Sequence, residues 1–247
     1  MTPLRIELAA RNNAIWCNTV CRAQGIPGEF HDSVWLNRHP VPRFHSNAIT
    51  LADQWDAATQ LAYIQALITS GLPGTWSVKD SFYALDLARL GFQRLFEATW
   101  LWRASSSIAL HAASAGTRWA WVNSAPELER WETAWSGDTA NVSASPQPRL
   151  FRPALLADQD VGFIAAYRDE KIVAVAIANR TDEVIGLSNV FVPSVDSSWF
   201  WIGCIAMIQE RFPGLPLVGY QRGPKLAVAQ SLGFEAVQDL RVWIRQV

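Results

Sequence analysis

The chain has 247 residues, of which half are hydrophobic and 17% are charged, enough apolar sequence to bury one large core or two modest ones. This balance argues against a disordered protein. Lys and Arg number 21 against 22 Asp and Glu, and no basic cluster stands out, which argues against an electrostatic nucleic-acid binder. Three cysteines, a low and odd number, argue against a disulfide framework and fit a reducing cytoplasm.

Neither a targeting segment nor a metal site is expected. The first ten residues carry Arg5 and Glu7 without a long apolar run, and no stretch reaches the roughly 18 apolar residues of a spanning helix. Cys17 and Cys21 lie on one helix face without further ligands at suitable spacing, so burial as small hydrophobes is favoured. We expect a cytoplasmic protein without a metal, and most of the thirteen Trp as core fillers, with aromatic walls of a ligand groove as the alternative.

The first half of the chain alternates helical and strand-like stretches, with Gly and Pro marking the ends of helices. The predicted elements are a helix over 12–24, a strand over 48–51, a helix over 53–70, a strand over 75–79, a helix over 81–89 and a strand over 94–102. A small-residue stretch over 104–116 is the predicted linker.

The second half carries stronger local signals. Ser124 followed by Pro126 and Glu127 is typical of a helix start, since Ser can cap the helix and Pro fits its first turn. Polar residues 168–171 between two apolar runs predict a hairpin turn. The predicted elements are a strand over 118–122, a helix over 124–136, strands over 161–167, 172–178 and 184–192, a helix over 198–211, a strand over 217–221, a helix over 224–231 and a strand over 237–245.

One short signature occurs twice. Leu-Gly-Phe stands at 90–92 and again at 232–234, each time after an Ala- and Leu-rich stretch and before a strand-like tail. A repeat at this distance indicates two copies of one folding unit.

The order of elements over 118–245 resembles the GNAT acyl-CoA N-acyltransferases from end to end, and the first half resembles a shortened copy. The resemblance implies an α+β protein of two GNAT-like units, each a mixed sheet flanked by helices. The shortened unit would span 1–105 and the acyltransferase unit 106–247. The first unit would shape the acceptor side.

The resemblance also implies where acetyl-CoA would bind, with no metal required. In this family the strand matching 184–192 splays from the strand matching 217–221, and the pantetheine arm pairs with the first strand's backbone, here at Phe191 and Val192. The pyrophosphate would lie at the start of the next helix, near Ser194, Ser197 and Ser198. Arg222 is a further candidate for an anionic group.

The chain departs from the family pattern at two places. The family's Gly-containing pyrophosphate loop is replaced by residues that include Pro193 and Asp196. The family's closing-helix Tyr, four residues before the Gly, is replaced by Ala229 in the second copy and Leu87 in the first.

Because neither Ala229 nor Leu87 can donate a proton, the candidate general acid and base are sought among other residues of the second half. Tyr220 is the preferred general acid, with Tyr167 as the alternative. Glu183 is the preferred general base, with Asp182 and Asp196 as alternatives.

The resemblance therefore implies an N-acetyltransferase that moves an acetyl group from acetyl-CoA to an amine of a small molecule or peptide, and direct attack is expected because no nucleophile triad is visible. No nucleic-acid or membrane partner is expected, and a homodimer is left open. The alternative is a catalytically degenerate GNAT-fold binding or scaffold protein. A third interpretation is a new small-molecule pocket between the two units.

Overall fold

The computed structural model describes residues 4–106, 116–137, 149–192 and 198–246. Two compact units are present. Unit 1 comprises Met1–Leu101, Tyr220–Arg222 and Ala236–Val247, and unit 2 comprises Trp102–Gly219 and Gly223–Glu235. Most of the predicted linker over 104–116 lies outside the described residues.

Five helices and eleven strands occur in the part of the chain that the structure describes. The first half contains α1 (Arg5–Ala23), β1 (Glu29–Phe30), β2 (Val34–Leu36), β3 (Ala48–Thr50), α2 (Ala57–Thr69), β4 (Trp76–Asp80) and β5 (Gln93–Arg103). The second half contains β6 (Arg118–Trp121), α3 (Ala125–Ser136), β7 (Val161–Arg168), β8 (Lys171–Arg180), β9 (Ile185–Phe191), α4 (Ser198–Arg211), β10 (Leu217–Gln221), α5 (Pro224–Ser231) and β11 (Glu235–Arg245). None of the described helices is long and apolar enough to cross a membrane.

Unit 1 is a mixed sheet with the strand order β1-β2-β3-β4-β11-β5. β3 and β4 run parallel, and β4 pairs antiparallel with the C-terminal strand β11 from Asp80↔Arg241 to Trp76↔Arg245. α2 packs on one apolar cluster that includes Val78 and Trp243. Cys17 and Cys21 lie with Trp35 in a second cluster, which confirms them as buried hydrophobes.

The helix predicted over 81–89 is wrong. The Asp80 carboxylate is buried and accepts the backbone N–H groups of Ala84 (3.0 Å) and Leu85 (2.9 Å), which folds the chain into a turn. Tyr83 has a left-handed φ of 57°, which a helix does not allow. Only a single 3-10 turn, Ala88–Leu90, follows. Local Asp-to-backbone bonds compete with helix formation, and here they prevail.

Unit 2 contains the strands β10-β9-β8-β7-β6 in that order. The predicted helix start is confirmed, since the Ser124 side chain accepts the Glu127 N–H and Pro126 lies in the first turn. The predicted hairpin between β7 and β8 turns at Asp169 and Glu170, both with positive φ, as a tight hairpin requires. Aromatic side chains fill much of the core, with Trp131 packed edge-on against Phe163.

The repeated Leu-Gly-Phe forms the same turn in both copies. Gly91 and Gly233 have φ of 81° and 84°, a left-handed conformation that favours glycine. The N–H of Phe92 bonds the carbonyl of Leu87, and the N–H of Phe234 bonds that of Ala229. This is the Schellman pattern that ends a helical turn, so the repeat encodes a chain reversal.

The final strand of the second copy, β11, pairs with β4 of the first copy. The guanidinium of Arg103, at the end of β5, donates to the carbonyl of Leu232, at 3.0 Å. Arg245, at the end of β11, donates to that of Leu90, at 3.4 Å. Each Leu-Gly-Phe turn is therefore capped by the arginine that ends the other copy. Since residues 236–247 lie in unit 1, the two compact units differ from the predicted domains 1–105 and 106–247. The predicted domain boundaries stay a prediction.

Candidate functional site

The candidate site of unit 2 is built on the parallel strands β9 and β10. Their ladder contains the pairs Leu217↔Ile185 and Val218↔Gly186. β9 continues for five residues beyond Gly186, and no ladder pair with β10 is found for these residues in the described chain. Gly219 lies against the Leu187 carbonyl, since a Cβ at Gly219 would be 2.7 Å from that oxygen. The second half of β9 thus has an edge without ladder bonds to β10.

A β-bulge shapes this second half of β9. On β8 one residue separates Val175 from Ile177, whereas on β9 two residues separate their partners Phe191 and Ser188. One of the two, Asn189, has a φ of 53°. Asn is among the few side chains that tolerate this conformation. A bulge leaves one residue out of the ladder, so it makes backbone groups available at this position.

The predicted cofactor-binding residues of this strand lie next to the bulge. Phe191 ends β9, and Val192 follows it; both are half-buried. Ser198 is the first residue of α4, and Ser194 and Ser197 lie outside the described residues. The structure therefore brings Phe191 and Val192 to the end of the bulged strand, and it leaves the pyrophosphate residues a prediction.

The side chain of Ser188 is a further feature of this strand. Its Oγ is buried and has no hydrogen-bond partner among the described residues. A buried hydroxyl without a partner is costly, so a ligand atom that bonds it would be favoured. An unpaired strand edge, an available bulge and this hydroxyl together could bind a ligand that carries polar amide groups.

Tyr220 lies on β10, two residues after Val218, and is half-buried in unit 1. Trp100 packs edge-on against its ring, with centroids 5.4 Å apart. Its hydroxyl oxygen accepts a hydrogen bond from Lys79 Nζ at 3.3 Å. The predicted general acid is therefore held in a fixed orientation.

Glu183 lies far along the strand from the bulge. It is exposed in the turn before β9, six residues before Asn189. A strand rises about 3.3 Å per residue, so roughly 20 Å separates the two positions. Glu183 stands at the paired end of β9, and this placement does not favour it as a general base acting near the bulge.

Two further candidates are Arg222, for an anionic group, and Tyr167, the alternative general acid. Arg222 is exposed just before α5, and its guanidinium lies 4.8 Å from the centroid of the Phe96 ring. Tyr167 is buried on β7, where burial raises the pKa of its phenol. Because β8 separates β7 from β9, Tyr167 is the weaker candidate for an acid acting at β9.

The corresponding strands of unit 1 stay joined. The pair Ile49↔Lys79 of β3 and β4 is followed by a buried hydrogen bond from the Ser81 N–H to Thr50 Oγ1, at 2.8 Å. The turn after Asp80 also replaces the helix that follows β10 in unit 2. Among the described residues of unit 1, β3 and β4 therefore show no unpaired edge like that of β9.

The described residues contain no group of three or more His, Cys, Asp or Glu side chains that could hold a metal ion. Burial raises the pKa of the Cys17 and Cys204 thiols, which disfavours the nucleophilic thiolate at both.

Comparison with solved structures identifies the fold. A GCN5-related N-acetyltransferase from Kribbella flavida superposes with a TM-score of 0.59 over 96% of this chain and 95% of its own, at 17% identity. The chain has the GNAT fold. A GNAT-family protein from Novosphingobium aromaticivorans covers 96% of this chain and 99% of its own at 11% identity and a TM-score of 0.54. A tandem GNAT protein from the clavulanic acid biosynthesis pathway covers 76% of this chain and 69% of its own, at 13% identity and a TM-score of 0.51.

The resemblance in fold is not matched by a resemblance in sequence. No family model matches the chain, and no curated protein matches it. The mixed sheets flanked by helices confirm the predicted α+β class and the predicted GNAT architecture. Identities of 11–17% establish the fold alone.

Sequence reasoning missed two residues of the site. Asn189 lies within the strand predicted over 184–192, and the one signal at this position is that Asn adopts a positive φ more readily than most residues. Lys79, which bonds Tyr220, carries no local signal, because the two residues are 141 positions apart.

Proposed function

We propose that this protein is an N-acetyltransferase that transfers the acetyl group of acetyl-CoA to an amine of a small molecule or peptide. The observation that carries the proposal is the bulged, unpaired second half of β9 beside the parallel strand β10, within a GNAT fold. Acetyl-CoA is a substrate, and the proposed reaction uses no metal.

The backbone of β9 supports binding of the pantetheine arm. A ligand amide can pair with an unpaired strand edge as an added strand would, and such recognition depends little on side chains. Phe191 and Val192 lie at this edge, and Ser188 adds a hydroxyl. An N–H group freed by the Asn189 bulge could polarise the thioester carbonyl, which is where negative charge develops during attack.

The chemistry is a direct acyl transfer. The neutral amine attacks the thioester carbonyl, a C–N bond forms, the C–S bond breaks, and the amine releases one proton to solvent water. The departing CoA thiolate takes a proton from the proposed donor, Tyr220, and the Tyr220 phenolate regains a proton from solvent water. Glu183 is not part of this proposal, because its distance along β9 keeps it from the reacting atoms.

We propose that acetyl-CoA binds at β9 of unit 2 and not at the corresponding strand of unit 1. The Ser81 to Thr50 bond closes the ends of β3 and β4, where a pantetheine arm would have to enter. We therefore expect one acetyl-CoA per chain.

A second candidate function is a GNAT-fold binding protein without catalysis. Ala229 and Leu87, at the positions of the family's closing Tyr, are both buried and accept backbone bonds within the Leu-Gly-Phe turns. Neither can donate a proton. If Tyr220 does not replace that Tyr, binding without turnover is expected.

Thermal unfolding with acetyl-CoA tests binding. A ligand at one hundred times its Kd stabilises the folded form by about 2.7 kcal/mol. For a chain of this size that corresponds to a rise in Tm of roughly 5–10 °C. ATP at the same concentration is the control for nonspecific phosphate binding. An unchanged Tm at millimolar acetyl-CoA would contradict the proposal.

Turnover distinguishes the two candidate functions. Release of the CoA thiol is followed with a panel of primary amines and peptides, in the presence and absence of Tyr220→Phe. The enzyme hypothesis predicts release with at least one acceptor and a large loss in Tyr220→Phe. Stabilisation by acetyl-CoA without any release would favour the binding protein.

A further inference from the structure

Lys79 is a buried cation in unit 1. Only 5% of its surface is exposed, and it lies on β4, in the middle of the sheet. Among the described residues no carboxylate lies within salt-bridge distance of its ammonium group. A buried charge without an ionic partner is costly, so a residue that only filled the core would be expected to be apolar.

The ammonium group has two neutral partners. Lys79 Nζ donates to Asn13 Oδ1 at 2.6 Å and to the Tyr220 hydroxyl at 3.3 Å. It also lies 4.4 Å from the centroid of the Tyr220 ring. The bond to the Asn13 amide therefore fixes the position of the ammonium group. In that position the ammonium group contacts Tyr220, the predicted general acid.

The direction of the second bond is fixed by chemistry. An ammonium group has three donors and no acceptor, so the phenol oxygen must be the acceptor. The phenol proton therefore points elsewhere, and no acceptor for it is found among the described residues. Trp100 holds the ring edge-on and restricts its rotation. Tyr220 is thus presented as a hydrogen-bond donor with its proton free.

Two other titratable side chains interact electrostatically with Lys79. Burial raises the pKa of Cys17 and lowers the pKa of His45 to about 4. Both are neutral near pH 7, so they leave the positive charge of Lys79 uncompensated. The ammonium is the one charged group that contacts Tyr220 in the described part of unit 1.

We propose that Lys79, aimed by Asn13, is a positioning residue that keeps the phenol proton of Tyr220 free for donation to the departing thiolate. This inference rests on the proposed acetyl transfer.

Kinetics of two substitutions test the role. Lys79→Met keeps the length of the side chain and removes the donor, and Lys79→Arg keeps a charged donor. With acetyl-CoA and an amine that the wild type accepts, Lys79→Met should lower kcat by about 10–100-fold, part of what a general acid contributes. The KM for acetyl-CoA should stay within about threefold, and Lys79→Arg should recover part of the rate.

A double substitution separates positioning from a structural effect. If Lys79 acts through Tyr220, Lys79→Met should change kcat little in a Tyr220→Phe background, because residues of one network are not additive. An equal loss of kcat in both backgrounds, or no loss in the wild type, would overturn the inference while leaving the proposed function intact.

A measurement without turnover tests the contact itself. The chain has four Tyr, so tyrosine labelled with 13C at Cζ gives four resonances, and Tyr220→Phe identifies one. Lys79→Met should shift the Tyr220 resonance and leave the other three, which also report that the protein is folded. An unmoved Tyr220 resonance would overturn the inference. A wild type that neither binds acetyl-CoA nor releases CoA would overturn the proposed function and the inference with it.

Discussion

The bulge at Asn189 should decide whether the chain binds acetyl-CoA, and two substitutions at this one residue test it. Its φ of 53° is accessible to Gly without strain and is strongly disfavoured for a β-branched side chain. Asn189→Gly should therefore preserve the bulge. Asn189→Val should destabilise it by roughly 1–2 kcal/mol, the usual difference for a left-handed residue.

The strain of Asn189→Val can be relieved by losing the bulge. If the bulge is lost, the register of β9 slips by one residue. Val190 and Phe191 would then each move to the face of the sheet opposite to the one they occupy now. The N–H groups at the unpaired edge would move with them. A penalty of 1–2 kcal/mol on the binding-competent form corresponds to a loss of about 5–30-fold in affinity.

Calorimetric titration with acetyl-CoA measures this directly, and urea unfolding checks the stability of each variant. We expect a Kd within about twofold of the wild type for Asn189→Gly and a loss of about 5–30-fold for Asn189→Val. Equal affinities for the two variants, with the expected difference in stability, would refute the bulge as a part of the binding site.

Three further predictions concern stability. The pKa of His45 is lowered to about 4, so the unfolded chain takes up its proton first as the pH falls, and stability present at pH 7 is lost between about 6.5 and 4. Between pH 7.5 and pH 5, the free energy of unfolding measured in urea should fall by roughly 2 kcal/mol more in the wild type than in His45→Gln. Gly233→Ala and Gly91→Ala should each cost about 1–2 kcal/mol in the same assay, because both turns use one left-handed glycine. Deletion of residues 236–247 should unfold unit 1, detected by limited proteolysis, since it removes the β4 pairing and buried side chains worth about 1.5–3 kcal/mol each.

Each of these has an outcome that would contradict it. The same pH dependence in wild type and His45→Gln would show that the folded protein does not lower the pKa of His45. An unaffected stability in Gly233→Ala would contradict the left-handed turn. A truncated chain whose residues 29–80 stay protected from protease would contradict the place of β11 in unit 1.

The second half of the chain was largely predictable because its signals are local. Ser124 with Glu127, the polar turn at 168–171 and Pro224 each fix an element boundary within a few residues, and the structure confirms all three. The predicted helix 198–211 and strand 217–221 agree with α4 and β10.

The failures arose where distant residues decide the local structure. The turn after Asp80 is held by local hydrogen bonds to a carboxylate, and the burial of that carboxylate is set by the distant strands of the unit 1 sheet. The position of β11 depends on its pairing with β4, and the hydrophobic pattern of a strand does not specify which strand it pairs with. The likeness of the two Leu-Gly-Phe segments reflects a shared turn, so it predicted the fold and said little about the chemistry.

Hydrogen–deuterium exchange with and without acetyl-CoA tests the central claim most directly, because it reports backbone amides at both candidate edges in one experiment. We predict that acetyl-CoA slows exchange at residues 186–192, on and just after β9, and leaves residues 48–51, on and just after β3, unchanged. Protection of 48–51 instead, or no change at either edge under saturating acetyl-CoA, would contradict the assignment of the acetyl-CoA site to unit 2.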